Sequence, residues 1–276
     1  MLLVLNVNNT NTVIAVYDLT GDGLTGDLRA TWRISTRHAQ TADEYGILVR
    51  SLLQSESVET RSIRGIVIAS VVPPIDWILR QFCERTFNQK PLFIEPGVKT
   101  GLPILTDNPG EVGADRVANC VGAFHKYGGP TIVVDFGTAT NFDVVSKKGE
   151  FLGGAIAPGL YISAEALFAR AARLPRVEIR RPVKIIGTNT VDNLQIGLFW
   201  GHIGLVDSIL ERMMAELGSE TKCVATGGLA HLIARESKYI SDVNDRLTLE
   251  GLRLIYDRNR AARNSPEAQP GRAPSA

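Results

Sequence analysis

The sequence predicts an α/β protein of two similar domains. Three observations lead there: a chain of 276 residues, strand-like apolar runs alternating with helical stretches, and two copies of one local pattern about half a chain apart. At roughly 150 residues per domain the length suggests two, with ample chain to bury a core without a metal or disulfide staple. The repeated pattern is an apolar strand ending in Asn or Asp, a turn of small hydroxyl and amide residues, and a second apolar strand. The first copy is Val4-Leu5-Asn6-Val7-Asn8-Asn9-Thr10-Asn11-Thr12-Val13-Ile14; the second is Val133-Val134-Asp135-Phe136-Gly137-Thr138-Ala139-Thr140-Asn141-Phe142-Asp143-Val144.

Taken in order, Leu2 to Leu5, Val13 to Tyr17 and Leu28 to Ile34 read as strands, with a loop at Gly21 to Gly26. Thr41 to Gln54 places Tyr45, Leu48, Val49, Leu52 and Leu53 at helical spacing behind a Thr-Ala-Asp-Glu start. Arg64 to Val72 is a buried strand stopped by Pro73-Pro74, followed by a helix from Ile75 to Phe87 and a strand at Pro91 to Ile94. An irregular stretch, Glu95 to Glu111, leads into a helix at Ala114 to Lys126. Strand Thr131 to Phe136, a turn at Gly137 to Asn141 and strand Phe142 to Val145 complete the second copy. Beyond it, helices at Ser163 to Arg170, Val191 to Leu217, Leu229 to Ser237 and Leu249 to Asn259 surround a strand at Lys222 to Ala225. The end, from Arg260, holds Pro, Gly, Ser, Arg and Ala without periodicity and is expected to be disordered.

Composition narrows the function classes. Thirty basic residues against 29 acidic ones give a formal charge of +1 and no pull toward nucleic acid or anionic lipid. No run reaches the roughly 18 apolar residues of a membrane span, and the first residues lack a basic leader. Cys83, Cys120 and Cys223 are far apart and odd in number, which fits buried thiols of a reducing, cytoplasmic compartment. His38, His125, His202 and His231 have no metal-ligand spacing. The chain contains no Gly-x-x-x-x-Gly-Lys-Ser/Thr loop, and Gly21-Asp-Gly-Leu-Thr-Gly26 opens no helix, so neither a P-loop nor a dinucleotide fingerprint is present.

Turns such as the two repeated ones expose backbone N–H groups and hydroxyls that can wrap a phosphate without a helix N-terminus. Facing each other across a cleft, they would grip a nucleotide tail from both sides; two ordinary hairpins would look the same. Thr226-Gly227-Gly228 lets backbone approach a flat ligand, although a plain strand-to-helix turn explains it equally.

Further segments give the chain a family resemblance from Met1 to about Asn259. They are Thr41-Ala-Asp-Glu-Tyr-Gly, Ile68-Ala-Ser-Val-Val-Pro-Pro, Thr100-Gly-Leu-Pro-Ile, Asp107-Asn-Pro-Gly-Glu-Val-Gly-Ala-Asp-Arg116, Val134-Asp-Phe-Gly-Thr-Ala-Thr140 and Gly153-Gly-Ala-Ile-Ala-Pro-Gly159. In this order the chain resembles the type III pantothenate kinases, within the acetate-and-sugar-kinase and actin-like ATPase superfamily. The resemblance implies two actin-like (ribonuclease H-like) domains, residues 1–116 and 117–259, before the tail 260–276. Each would hold a mixed five-stranded sheet with flanking helices, and an interdomain cleft would take the nucleotide. It implies a homodimer that uses ATP, Mg²⁺ and a monovalent cation, K⁺ or NH₄⁺, to phosphorylate pantothenate, the first step of coenzyme A synthesis.

Residue by residue, the resemblance makes Asp115 the general base, accepting the proton of an alcohol that is otherwise a poor nucleophile. Gly113, Ala114, Arg116, Thr106 and Thr190 match substrate-contacting positions. Thr138 and the first turn, Asn6, Val7, Asn8, Asn9, Thr10, Asn11, Thr12 and Val13, match the ATP site. Asp135 matches the monovalent-cation ligand, and Asn6 the position of a Mg²⁺-holding acid. Structural readings stand beside these: Asp115 as a helix-start acid, Arg116 as a solvated cation, Thr190 as an N-cap before Val191. Three positions depart from the family pattern. Asn6 and Asn8 replace the Asp and first Gly of Asp-Val-Gly-Asn-Thr-Asn, and Thr106 stands where members commonly carry Tyr. Two readings follow: an active kinase, or a catalytically impaired paralogue that keeps nucleotide binding or acts through a partner.

Overall fold

The computed structural model describes residues 1–20, 25–171 and 174–264. The expected loop at Gly21 to Gly26 therefore lies mostly outside the described residues, as does the tail from residue 265.

Two five-stranded sheets carry the fold. The first contains β1 (Leu2–Val7), β2 (Asn11–Leu19), β3 (Thr25–Ser35), β4 (Gly65–Ser70) and β5 (Leu92–Phe93), in the order β3-β2-β1-β4-β5. The second contains β6 (Thr131–Phe136), β7 (Ala139–Val145), β8 (Phe151–Pro158), β9 (Lys222–Gly227) and β10 (Asp242–Val243), in the order β10-β9-β6-β7-β8. Read from β3 and from β8, the two orders are the same. In each, three strands form an antiparallel meander, and the first of these pairs in parallel with a later strand that pairs in parallel with a fifth. The duplication expected from the two polar turns is thus a duplication of the whole sheet.

The helices are α1 (Ala42–Ser55), α2 (Pro73–Phe87), α3 (Ala114–Tyr127), α4 (Leu160–Arg170), α5 (Thr190–Leu217), α6 (Ala230–Ala234) and α7 (Leu247–Asn264). α1 starts with a full capping box: Glu44 N–H donates to the Thr41 hydroxyl while the Glu44 carboxylate accepts from Thr41 N–H at 2.7 Å. α2 starts on Pro73-Pro74, whose missing N–H groups fall where a helix has no use for them, and closes on Asn88 in the left-handed region at φ 53°.

Each sheet owns a core. Leu3, Leu5 and Val7 of β1 pack with Ile14, Val16, Ile66 and Ile68 against Tyr45, Val49 and Leu53 of α1 and Leu79 and Phe82 of α2. Ile132, Val134, Phe142 and Val144 of the second sheet pack against Leu198, Phe199, Ile203, Val206 and Leu210 of α5. Burying such a side chain contributes roughly 1.5–3 kcal/mol relative to leaving it exposed.

Several expectations are corrected. β8 and β10 were not foreseen, because Phe-Leu-Gly-Gly-Ala-Ile-Ala-Pro lacks a β-branched run and Asp242–Val243 is two residues long. β7 begins at Ala139, so the second turn is shorter than Gly137 to Asn141. α7 runs to Asn264 rather than ending at Asn259. The described residues also cluster into two compact units, 1–20, 25–101, 108–122 and 248–264 in one and 102–107, 123–171 and 174–247 in the other. α7 joins the first unit because close packing holds it there. A Cβ on Gly251 would strike the Ala118 carbonyl oxygen, Gly65 lies against the Tyr256 ring, and Arg258 Nη1 donates to the Thr100 carbonyl at 2.8 Å.

Candidate active site

The first unit brings the end of β1 and the start of α3 together. β1 and β4 are parallel, with Asn6 beside Ala69 and Val7 beside Ser70. One residue on, Val71 N–H donates to the Val7 carbonyl at 3.0 Å, and the Val71 side chain lies 3.6 Å from where a Cβ on Gly113 would stand. Gly113 therefore borders Val71, just past β4, whose backbone is bonded to the end of β1.

Asp115 is half-buried in the first turn of α3, and its Oδ1 accepts the Arg116 backbone N–H at 2.8 Å. Burial pushes its carboxyl above the ordinary carboxylate pKa, and this outweighs the Arg116 N–H and guanidinium, which act the other way. A carboxylate held high is a stronger proton acceptor than an exposed one. Gly113 makes room for it, since a Cβ there would come within 2.7 Å of Asp115 Oδ1.

The first turn is tight: Asn8 N–H donates to the Asn11 carbonyl at 3.0 Å, and Asn9 and Thr10 are exposed at its tip. Asn8 needs no left-handed backbone; among the described non-glycine residues only Ser57 and Asn88 have positive φ. Val7 and Thr12 face the core and are fully buried, and the Thr12 hydroxyl lies 2.9 Å from that of Thr36. Their side chains serve the scaffold. Asn6 is different. It is only 6% exposed, its neighbours across both strands are Val13 and Ala69, and its Oδ1 accepts no hydrogen bond from the described residues. Asn8 Oδ1 is likewise buried and unpartnered. An unmade hydrogen bond of this kind costs about 1–3 kcal/mol.

The second unit builds its turn on glycines. Asp135 and Phe136 of β6 pair in parallel with Thr226 and Gly227 of β9. Gly227 has φ +93°, and a Cβ there would come within 2.6 Å of both Asp135 Oδ1 and the Phe136 carbonyl oxygen. The missing side chain leaves a cradle with two oxygens on its wall. Gly159 does the same on the other side, approaching the Thr138 and Gly137 carbonyls too closely for any side chain. Beneath the turn, the Thr140 hydroxyl lies 3.3 Å from His202 Nε2, and burial lowers the His202 pKa. Thr106 stands beside Gly153, its hydroxyl buried and unpartnered among the described residues. Thr190 is exposed at the first position of α5 and is not the cap: Asn189 is, accepting Asp192 N–H at 2.9 Å. Among the described contacts Thr190 joins neither cluster.

Sequence comparison agrees with these segments. The family model for type III pantothenate kinases matches residues 2–212. A type III pantothenate kinase of Acidobacterium capsulatum is 79% identical over 263 residues, 95% of this chain and 97% of that protein. The chain belongs to the type III pantothenate kinase family. A second member, from Koribacter versatilis, is 61% identical over 95% of this chain and 97% of its own length. Among solved structures, the activator of the 2-hydroxyisocaproyl-CoA dehydratase of Clostridium difficile, with bound ADPNP, aligns at TM-score 0.56 and 14% identity over 98% of this chain and 99% of that one. Component A of the Acidaminococcus fermentans (R)-2-hydroxyglutaryl-CoA dehydratase aligns at 0.52 and 12% over 94% and 98%. At those identities they speak for the fold, which is α/β with two mixed five-stranded sheets of the actin-like ATPase class.

Sequence reasoning overlooked Gly159 and gave Gly227 no part in this kinase site. The signals were present in Ala157-Pro158-Gly159 and Thr226-Gly227-Gly228, but only the register of β9 on β6 gives the glycine pair a carboxylate to approach.

Proposed function

We propose that this kinase transfers the γ-phosphoryl group of ATP to the hydroxyl of pantothenate, giving 4′-phosphopantothenate and ADP, the first step of coenzyme A synthesis. The observation that carries the mechanism is the Asp115 carboxylate, half-buried, raised in pKa and fixed by the Arg116 N–H. Asp115 orients the acceptor hydroxyl and takes its proton as the new oxygen–phosphorus bond forms and the bond to the β-phosphate oxygen breaks. Arg116 directs its guanidinium to the polar end of pantothenate, with Gly113 and Ala114 beside it, and by family resemblance Thr106 and Thr190 are substrate-contacting positions. The exposed tip Asn9-Thr10 presents backbone N–H groups suited to phosphate, and in the second turn, where the Gly137 N–H donates to the Ala139 carbonyl at 3.0 Å, exposed Thr138 is the matching ATP contact.

The donor set fits the ions expected of such an enzyme. The amide oxygens of Asn6 and Asn8, buried and without a partner among the described residues, are hard donors of the kind Mg²⁺ takes, and the Asp135 carboxylate with the Phe136 carbonyl suits K⁺ or NH₄⁺. Cations held by these residues would supply positive charge against the transferring phosphoryl group.

A homodimer in the cytoplasm completes the reading. Val183, Ile185 and Ile186, with Ile156 of β8 and Tyr161 of α4, are all more than half exposed, an apolar display that suits burial against a second copy. Cys83, Cys120 and Cys223 are free and buried, and burial pushes the Cys83 and Cys223 thiols up to about 12. No helix among the described residues is long and apolar enough to cross a membrane.

The test is ADP release by the purified protein, with pantothenate, Mg²⁺ and K⁺ each omitted in turn. Release that needs pantothenate, with a product phosphorylated at the 4′-hydroxyl by ³¹P NMR, meets the proposal. Release indifferent to pantothenate overturns it.

A further inference from the structure

β6 and β7 close the second turn on one pair of residues, Phe136 opposite Thr140. Along β7 the side chains alternate between two faces, and Thr140 shares the face on which Phe142 and Val144 pack against α5. Thr140 is 1% exposed and His202, within α5, 6%. The Thr140 hydroxyl lies 3.3 Å from His202 Nε2, and the His202 ring stands 6.1 Å from that of Phe136, tilted by 59°. One side chain of α5 therefore meets both residues of the closing pair. Among the described residues the Thr140 hydroxyl has no other side-chain partner. A neutral imidazole carries one donor and one acceptor nitrogen, and a hydroxyl can take either role, so the contact serves both tautomers.

A short polar turn has little of its own to fix its shape. In this one the Gly137 N–H donates to the Ala139 carbonyl at 3.0 Å, while Gly137 and Thr138 are exposed. The remaining restraint comes from neighbours. Gly159 lies so close over the Gly137 and Thr138 carbonyls that no side chain fits between, and His202 holds the closing pair from the core side. The surroundings there are apolar, since Phe136, Phe199 and Ile203 all belong to the second core. Packing alone would be met by any ring of similar size; a hydrogen bond made inside such a core also fixes direction and leaves an unpaired hydroxyl when it is broken. We propose that His202 is a positioning residue for the nucleotide, holding the Gly137-Thr138 turn through the Thr140 hydroxyl in the form that receives ATP. His202 touches no substrate itself and acts only through Thr140. This rests on the ATP-binding reading above.

A double-mutant cycle on the full chain tests it, read by calorimetry with a non-hydrolysable ATP analogue in the presence of Mg²⁺ and K⁺. Thr140→Val keeps the shape and removes the hydroxyl; His202→Phe keeps a ring and removes the nitrogens. Each is expected to weaken analogue binding by about fivefold to tenfold, the effect of one hydrogen bond, and the double variant no more than either alone. In initial-rate assays the same variants are expected to raise KM for ATP with kcat little changed. Thr140→Ser, which restores the hydroxyl, is expected to bind the analogue as the native protein does. Native affinity in both single variants, even with a lower melting temperature, would confine His202 to the core and overturn the proposal. Losses that add in full in the double variant overturn it too, as does a Thr140→Ser protein as weak as Thr140→Val. Should circular dichroism show His202→Phe unfolded, the contrast between Thr140→Val and Thr140→Ser decides by the same outcomes. No analogue binding by the native protein removes the ATP reading and this proposal with it, whereas native binding beside indifferent variants overturns the proposal alone.

Discussion

Gly113 and Asp115 occupy the same small space: a Cβ on Gly113 would come within 2.7 Å of Asp115 Oδ1. The obstacle is the far end of a short side chain rather than backbone, and that decides what a substitution does. In Gly113→Ala the Asp115 carboxylate swings aside and gives up its bond to Arg116 N–H. One lost hydrogen bond costs about 1 kcal/mol of stability, whereas displacing the base by an ångström costs roughly a hundredfold in rate. The expected outcome is a protein that melts within a few degrees of the native one yet has lost most of its kcat, checked by paired thermal melts and initial rates.

Asp115 itself gives a prediction of opposite sign for activity and stability. Asp115→Asn removes the proton acceptor, and kcat is expected to fall by about 10²- to 10⁴-fold. The native carboxyl has a raised pKa in the folded protein, so the folded state favours the protonated form. Its stabilising effect is full below the unfolded pKa and fades as pH rises through the folded pKa. At neutral pH the buried charge is a liability. Asp115→Asn should therefore melt higher than the native protein at pH 7–8, with the advantage shrinking on acidification. An advantage that grows toward acid would contradict this assignment.

His202 titrates the other way. Burial lowers its pKa below the ordinary 6.5, so protonation is resisted in the folded state. Its contribution to stability is intact above the unfolded value and lost as pH falls below it. His202→Gln is expected to flatten the pH dependence of melting on the acid side of 6.5, read from melts between pH 5 and 8.

The register of β9 on β6 makes Gly227 the least replaceable residue of the second turn. With φ +93° and a carbonyl and a carboxylate oxygen each 2.6 Å from its Cβ position, it cannot yield as Gly113 can. Gly227→Ala should cost at least about 1–2 kcal/mol from the backbone alone. If Asp135 holds the monovalent cation, activity in the surviving protein should also lose its response to added K⁺. A melt equal to the native one would argue against the tight contact.

Much of this was legible in the sequence, for a reason that lies in the duplication. Val4 to Ile14 and Val133 to Val144 are local patterns, and a strand-turn-strand can be read locally. β8 could not, because Gly153 and Gly154 owe their place to contacts with Thr106 and the Phe142 backbone, which only the folded sheet supplies. The attachment of α7 to the first unit is equally non-local, set by Gly65, Gly251 and the Thr100 carbonyl. In the site, Asp115 and Asn6 were found through their motifs, but not the burial that raises one and leaves the other unpartnered. Thr12 is a further case: its motif does not announce that the alternation of β2 turns its hydroxyl toward Thr36.

The central claim is that the Asp115 carboxylate deprotonates pantothenate for attack on ATP. The most direct measurement is a product-resolved comparison of native protein and Asp115→Asn with saturating pantothenate, ATP, Mg²⁺ and K⁺, following 4′-phosphopantothenate by mass spectrometry. The account predicts steady product from the native chain and a loss of about 10²- to 10⁴-fold in the variant. Equal rates from the two proteins, or no product from the native chain, would contradict it.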